Sequence, residues 1–378
     1  MPSYSSSAMM AHSESDIRVY ENAIPPFVES ELVRLYAHLY SSVAQFAVYG
    51  DITGNISTYV ARRTGVPHTI LLLRHERDKV HVLNQQIDVG DAEMGQFARY
   101  IFATYPRVNT IHFHAVRTRL QRFAFPYQQL TISEDIVVAL PDCSDKYVAA
   151  LGKATRKNLK HHLSRLKRSI PELVHTVYER DEANEQQIRN IVALNHARMA
   201  GKNKLSYIDE AETERIVNLV KRCGLVSVMS RGGRVCAGVI CYRIGDNYFS
   251  LVNGHDPDYN DYRLGTLCFY QTIIACIERG GKEFHFMWGQ YEYKYMLLGV
   301  QRDLNDVVLY RSHAQLLRNG GQAMQIAFNA RLRSVKFWLL QQAMSQRNRG
   351  VTARIAARAL HVLKALRQMS SGVVSRRR

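Results

Sequence analysis

Apolar residues recur at helical spacing in some segments and alternate or cluster in short runs in others, and the two kinds of segment interleave along the chain. Residues 29–42 (ESELVRLYAHLYSS) and 91–106 (DAEMGQFARYIFATYP) predict helices. Residues 68–75 (HTILLLRH) and 79–85 (KVHVLNQ) predict strands joined by the charged turn Glu76, Arg77 and Asp78, and residues 110–114 (TIHFH) predict another strand. Helices and strands in alternation favour an α/β layer over a bundle or a sandwich. A turn-like boundary falls at 141–145 (PDCSD).

Beyond it, Leu159, Leu163, Leu166 and Ile170 give the segment 146–168 one apolar helical face. Seven Lys or Arg and no acid lie between 153 and 168. Pro171 ends this helix. Two more helices are predicted over 181–202, through Ile188, Ile191, Leu194 and Met199, and over 208–223. The period then switches. Residues 225–230, 235–244 and 248–252 predict three antiparallel strands, with Gly232 and Gly233 supplying the first tight reversal. A helix over 264–280, a strand over 283–288, a further helix or loop and a strand over 306–310 complete the body. The expected fold is α/β, a mixed and mainly antiparallel sheet flanked by helices.

The 46% hydrophobic content fits a folded chain, but the net charge of +17 is unevenly spread. Residues 307–378 hold 14 Lys or Arg and no Asp or Glu, which leaves about +3 for the body. Segments 334–344 and 351–369 have helical periodicity, so this basic tail could pack on its own domain, lie on an anionic membrane surface or contact RNA. No stretch offers the ~18 apolar residues a membrane span needs, and residues 1–18 lack the basic start and apolar run of a signal peptide. A cytoplasmic location, with possible contact at the inner membrane face, is expected. The six cysteines have no CxxC pairing and read as reduced, mostly buried thiols, with Cys268 and Cys276 structural. His161 and His162 lack acid or thiol partners, and no metal site is expected.

The candidate chemistry concentrates in residues 255–299. Gly265, next to a helix start, lets backbone N–H groups approach an anionic ligand whose charge the helix dipole favours. The pattern suggests a phosphate-bearing donor, and group transfer from it needs an activated acceptor, a polarised centre and a proton route. His255, with Asp256 to orient it, is the leading base, and Glu292 is the rival. Tyr291, Tyr293 and Tyr295 alternate in a way that could line an acceptor groove. Lys294 could neutralise an anion, as could Arg156; Arg198 and His196 at a helix end are weaker candidates.

Segments ATRKNLKHHLSRLKR, RGGRVCAGVICYRIGDNYFSLVNGHDPDY, RLGTLCFYQTIIACIERGGKEFHF and GQYEYKYMLLG, in this order over residues 145–310, resemble the Gcn5-related N-acetyltransferase (GNAT) superfamily. The likeness is to its FemAB-like branch and to the acetyltransferases grouped with the cellulose-biosynthesis protein CelD. It implies an acyl-CoA N-acyltransferase-like fold in tandem: a flexible 1–18, a diverged acyltransferase-like unit over 19–140, the acyltransferase domain over 141–311 and a basic helical extension over 312–378. It further implies acetyl-CoA or another acyl-CoA as donor, without a metal. The donor would be held at Val252, Asn253, Arg263, Leu264, Gly265 and Thr266. Arg156, Arg198, Trp288, Tyr291, Tyr293 and Lys294 would meet a sugar, lipid or small envelope-precursor acceptor. The RLGT turn is shorter than the superfamily's glycine-rich loop. Some FemAB-like proteins take aminoacyl groups from transfer RNA instead, an alternative that the basic helix keeps open; a non-catalytic membrane-surface or partner-binding module on the same fold is a third.

Overall fold

The computed structural model describes residues 16–50, 54–121, 123–201 and 206–321. The two helices expected in the basic tail lie outside these residues. Among the described residues, twelve strands form one sheet. They are β1 (Asp16–Tyr20), β2 (Ile56–Arg63), β3 (Val66–Glu76), β4 (Lys79–Val82), β5 (Thr110–Val116), β6 (Tyr127–Ala139), β7 (Leu173–Glu179), β8 (Gly224–Arg231), β9 (Arg234–Ile244), β10 (Asn247–His255), β11 (Glu283–His285) and β12 (Val300–Tyr310). The order is β1-β2-β3-β4-β5-β12-β6-β11-β10-β9-β8-β7. Only β4 with β5 and β10 with β11 run parallel. The sheet is therefore mixed and mainly antiparallel, as the hydrophobic pattern predicts.

Among the described residues ten α-helices accompany it: α1 (Phe27–Tyr36), α2 (Val43–Tyr49), α3 (Asp91–Thr104), α4 (Ser144–Ala150), α5 (Lys153–Ser169), α6 (Glu185–Ala200), α7 (Glu210–Cys223), α8 (Leu264–Glu278), α9 (Glu292–Met296) and α10 (His313–Arg318). Each parallel pair needs a crossover, and α3 and α8 supply them. Phe97 and Ile101 of α3 pack with Tyr59 and Phe113, while Val28, Leu32 and Phe46 of α1 and α2 form a separate cluster with Val60 and Ile70. The second half repeats this two-sided cover. Leu159 and Leu166 of α5 join Phe269 and Ile273 of α8 in one cluster, and Ile191 and Val220 of α6 and α7 pack with Ile240 in another. Each such fully buried side chain contributes roughly 1.5–3 kcal/mol.

Three departures from the sequence reading bear on the site. The helix expected over 29–42 stops at Tyr36, because Ala37 turns left-handed (φ 41°) and His38 is extended before a short 3-10 turn, Leu39–Ser41. That break puts His38 and Leu39 in the core. Next, β6 has no counterpart in the expected elements, yet it occupies the sheet centre, pairing with β11 on one side and β12 on the other. Finally, the strand expected over 283–288 pairs with β10 only as far as His285, while Phe286 and Met287 still exchange backbone hydrogen bonds with Ile136 of β6.

Candidate active site

β10 and β11 pair over three positions only, residues 247–249 against 283–285. Beyond them the two chains part. A cavity of about 210 Å³ opens between Ser250, Leu251 and Asn253 of β10 and the Phe286, Met287 and Trp288 segment that follows β11. Helix α6 forms a further wall, fixed to β10 by Asn195 Nδ2 donating to the Asn253 carbonyl at 2.8 Å. Gly254 allows this approach, since a Cβ there would stand 2.7 Å from the Asn195 nitrogen and the Ile191 carbonyl oxygen. Gly254→Ala is accordingly expected to push α6 outward and cost about 1–3 kcal/mol, the range for overpacked sites. Chemical denaturation checks this; an unchanged midpoint would show that α6 has slack.

Two cations border the cavity. Arg198 of α6 lies 3.5 Å from Asn253 Oδ1, and its buried Nε–H has no hydrogen-bond partner among the described residues. Lys294 of α9 is only 3% exposed. Its Nζ donates to the carbonyls of Phe286 (2.9 Å), Met287 (3.0 Å) and Trp288 (2.6 Å), so the ammonium clamps the chain at the point where it leaves the sheet. Burial pushes its pKa down from 10.5 to about 8, against the opposing pull of Asp135 and Glu134. Phe269 and Phe286 pack on Tyr293, which stacks in turn on Tyr291. Trp288, Tyr291 and Tyr207 are exposed at the rim.

Of the residues singled out in the sequence, Asn253, Arg198, Trp288, Tyr291, Tyr293 and Lys294 converge on this cavity. Val252 is buried in the α6–α7 core instead. Tyr295 is separated from the other two tyrosines because the segment is a helix, not a strand, and its hydroxyl meets Gln301. Glu292 is exposed at the start of α9, and the Lys294 ammonium goes to main-chain carbonyls rather than to it. Arg156 is exposed on α5 and donates to the Ala149 carbonyl. Asp256 is a buried cap: it accepts from the Asp258 amide at 3.1 Å and pairs with Arg234. His255 Nε2 meets Asn260 Oδ1 at 3.0 Å. Cys268 is pushed up to about 12 by burial and stays a thiol.

At the start of α8, the Arg263 carbonyl accepts from the Thr266 and Leu267 amides at 3.0 and 3.1 Å. Leu264 is fully buried. The His255 ring lies over Gly265, where an added Cβ would stand 2.7 Å from Nδ1. The Cα face of Gly265 is thus covered by an imidazole.

Behind the cavity lies a cluster that the sequence reading missed. His285 Nδ1 is 2.6 Å from Asp135 Oδ2, with His38 edge-on to His285 at 5.3 Å and Phe249 stacked on His285 at 4.3 Å. All three polar residues are at most 5% exposed. Burial pulls the His285 pKa down, but Asp135 and Glu283 outweigh it and leave it raised; burial likewise raises the Asp135 carboxyl, and His285 reverses that. Each member therefore favours the charged form of the other. Burial, reinforced by His285, takes His38 down to about 3, so it is neutral. One possible ligand atom from each lies within 4.8 Å of the other two, which corrects the expectation that no metal-ligating group is present.

The profile of the acetyltransferase (GNAT) domain family matches residues 153–295. Residues 153–295 of the chain thus carry a GNAT domain, consistent with acyltransferase activity. Its fold, sheet and helices together, is of the GNAT kind, with some likeness to FemAB-type structures. The FemX crystal structure superposes with a TM-score of 0.56 at 8% identity, covering 79% of this chain and 99% of that one. The C-terminal domain of a putative lysylphosphatidylglycerol synthetase from Agrobacterium fabrum gives 0.41 at 12% identity (65% and 83% covered), and L-PGS from Bacillus licheniformis gives 0.43 at 13% (70% and 85%). No curated protein sequence matches the chain. The acyl-CoA donor expected from the sequence is corrected here. The fold that the chain follows over 79% of its length is similar to that of FemX.

Proposed function

We propose that this acyltransferase takes an aminoacyl group from transfer RNA and passes it to an amine or hydroxyl of an envelope precursor. The observation that carries the reading is the cavity at the parting of β10 and β11, with Arg198 and Lys294 beside an aromatic wall. The acceptor nitrogen or oxygen attacks the ester carbonyl, a tetrahedral oxyanion forms, the ester C–O bond breaks, and the ribose hydroxyl leaves with the acceptor's proton. Arg198, whose Nε–H has no partner among the described residues, is the cation that would stabilise the oxyanion or anchor an anionic part of the acceptor, while Lys294, its three N–H groups given to main-chain carbonyls, holds the cavity wall in place. Trp288 and Tyr291, exposed at the rim, offer flat faces on which an unpaired base can stack. In this reading residues 19–140 are a diverged duplicate of 141–311. The repeated order of strands and the crossovers through α3 and α8 support it.

Helix α5 supplies the long-range attraction. Its apolar side is buried under Leu159 and Leu166, while Lys153, Arg156, Lys157 and Lys160 stay exposed. It packs on the turn after β10, where Arg165 donates to the Asp261 carbonyl and lies 4.9 Å from the Tyr262 ring centre. The basic face therefore borders the strand that leads to the cavity. Changing those four exposed residues to Gln is expected to leave the urea midpoint unchanged. It should weaken tRNA binding and make the dependence of log K on log salt shallower by up to about 3, at roughly 0.7–0.9 per lost phosphate contact. Equal affinity and slope in the variant would remove α5 from the donor path.

A further inference from the structure

We propose that His38, Asp135 and His285 bind one divalent transition-metal ion of the zinc class, pinning the centre of the sheet. The three residues come from remote parts of the chain: the break after α1, the middle of β6 and the end of β11. Two imidazoles and a carboxylate, without thiolates or carbonyl ligands, suit zinc, cobalt or iron(II) rather than calcium or magnesium. Tetrahedral ligand bonds of about 2.0–2.2 Å set donors roughly 3.4 Å apart, so donor atoms that lie within 4.8 Å of one another draw in while Asp135 Oδ2 and His285 Nδ1, now 2.6 Å apart, open to admit the ion. Two buried atoms of the cluster, His38 Nε2 and Asp135 Oδ1, have no hydrogen-bond partner among the described residues. Buried polar atoms are ordinarily satisfied, and a cation also held by His285 Nδ1 would satisfy both. His285 Nε2 is 3.2 Å from Glu283 Oε2 without the alignment of a hydrogen bond, and Glu283 is itself held by both terminal nitrogens of Arg302. An outer carboxylate fixed in this way orients a ligating histidine. Phe249, stacked on His285 and edge-on to His38, keeps the cluster dry. Binding displaces the proton that joins His285 to Asp135 and releases it to solvent.

This inference does not depend on which donor the enzyme uses. The full chain is incubated with excess Zn²⁺, dialysed against citrate and analysed for metal by mass spectrometry; a Co²⁺-loaded sample is examined for ligand-field absorption. We expect close to one zinc per chain and visible cobalt bands. His38→Gln should lower the retained zinc at least tenfold, while His81→Gln, at a histidine outside the cluster, should leave it unchanged. Retention of less than a tenth of an equivalent by the unaltered chain, or full retention by His38→Gln, overturns the proposal and leaves a buried ion pair beside a neutral histidine. If His38→Gln fails to fold, the unaltered chain decides alone: absent cobalt bands overturn the site and present ones support it.

Discussion

Lys294→Met should lower the rate of aminoacyl transfer by about two orders of magnitude and destabilise the fold by about 2–4 kcal/mol. The first figure is the ~10²-fold effect of letting the cavity wall that the ammonium clamps shift by ~1 Å. The second follows from the three carbonyls, of Phe286, Met287 and Trp288, that lose their common donor. Stranding a buried acceptor costs roughly 1–3 kcal/mol, and relief from burying an ammonium offsets part of the sum. The pH dependence has a definite sign. With its pKa brought down to about 8, the folded chain releases the Lys294 proton earlier than the unfolded chain, whose lysine titrates near 10.5. Between these values the unfolded state holds more protons, so this residue makes stability rise with pH there and fall as pH drops through 8. Activity that needs the ammonium runs the other way and should decline above about pH 8. A Lys294→Met variant with normal turnover and an unchanged pH profile would detach the residue from the reaction.

Asp135→Ala should destabilise the protein by about 3–5 kcal/mol, the usual cost of leaving one member of a buried ion pair without its partner. Asp135 and His285 lie at the β6–β11 seam, where water does not reach the stranded imidazolium. Because β6 and β12 join the first five strands to the last five, the loss should spread through the whole sheet. Thermal and urea unfolding should therefore shift as one transition rather than in one half. A shift below about 1 kcal/mol would mean that the pair is dispensable.

The sequence made the second half of the sheet legible because each strand of the β8–β9–β10 meander is apolar and each reversal carries glycine; Gly232 and Gly233 both have positive φ. It hid β6 because Ser133, Glu134 and Asp135 interrupt the apolar pattern, and both acids nevertheless end up buried. Asp135 is there to meet His285, and Glu134 accepts from the Gly289 amide. Neither partner is visible in a one-dimensional pattern. His38 was hidden for a related reason, since helical periodicity runs through Ala37 and gives no sign of its left-handed turn. Buried histidine next to a strand end, as in residues 283–288, was the one signal that could have pointed to the cluster.

The site was legible to the same degree. Arg198, Trp288, Tyr291, Tyr293 and Lys294 were named from residue type and resemblance, and they share the cavity. The phosphate cradle expected at Gly265 rested on glycine near a helix start, and the sequence gives no sign of the side chain that lies over its Cα. His255 fills the space because the turn after β10 folds back along α8. What remains open to ligand is the parting of β10 and β11, a property of register that strand prediction does not supply.

The donor is the central claim, and one assay reaches it directly. The chain is mixed with tRNA charged with radiolabelled amino acids and with an extract of envelope precursors, with and without prior digestion of the RNA by ribonuclease. The account predicts label in the precursor fraction that disappears on ribonuclease treatment and does not grow when acyl-CoA is added. Label that survives the digestion, or transfer that occurs only when a coenzyme A thioester is supplied, would contradict it.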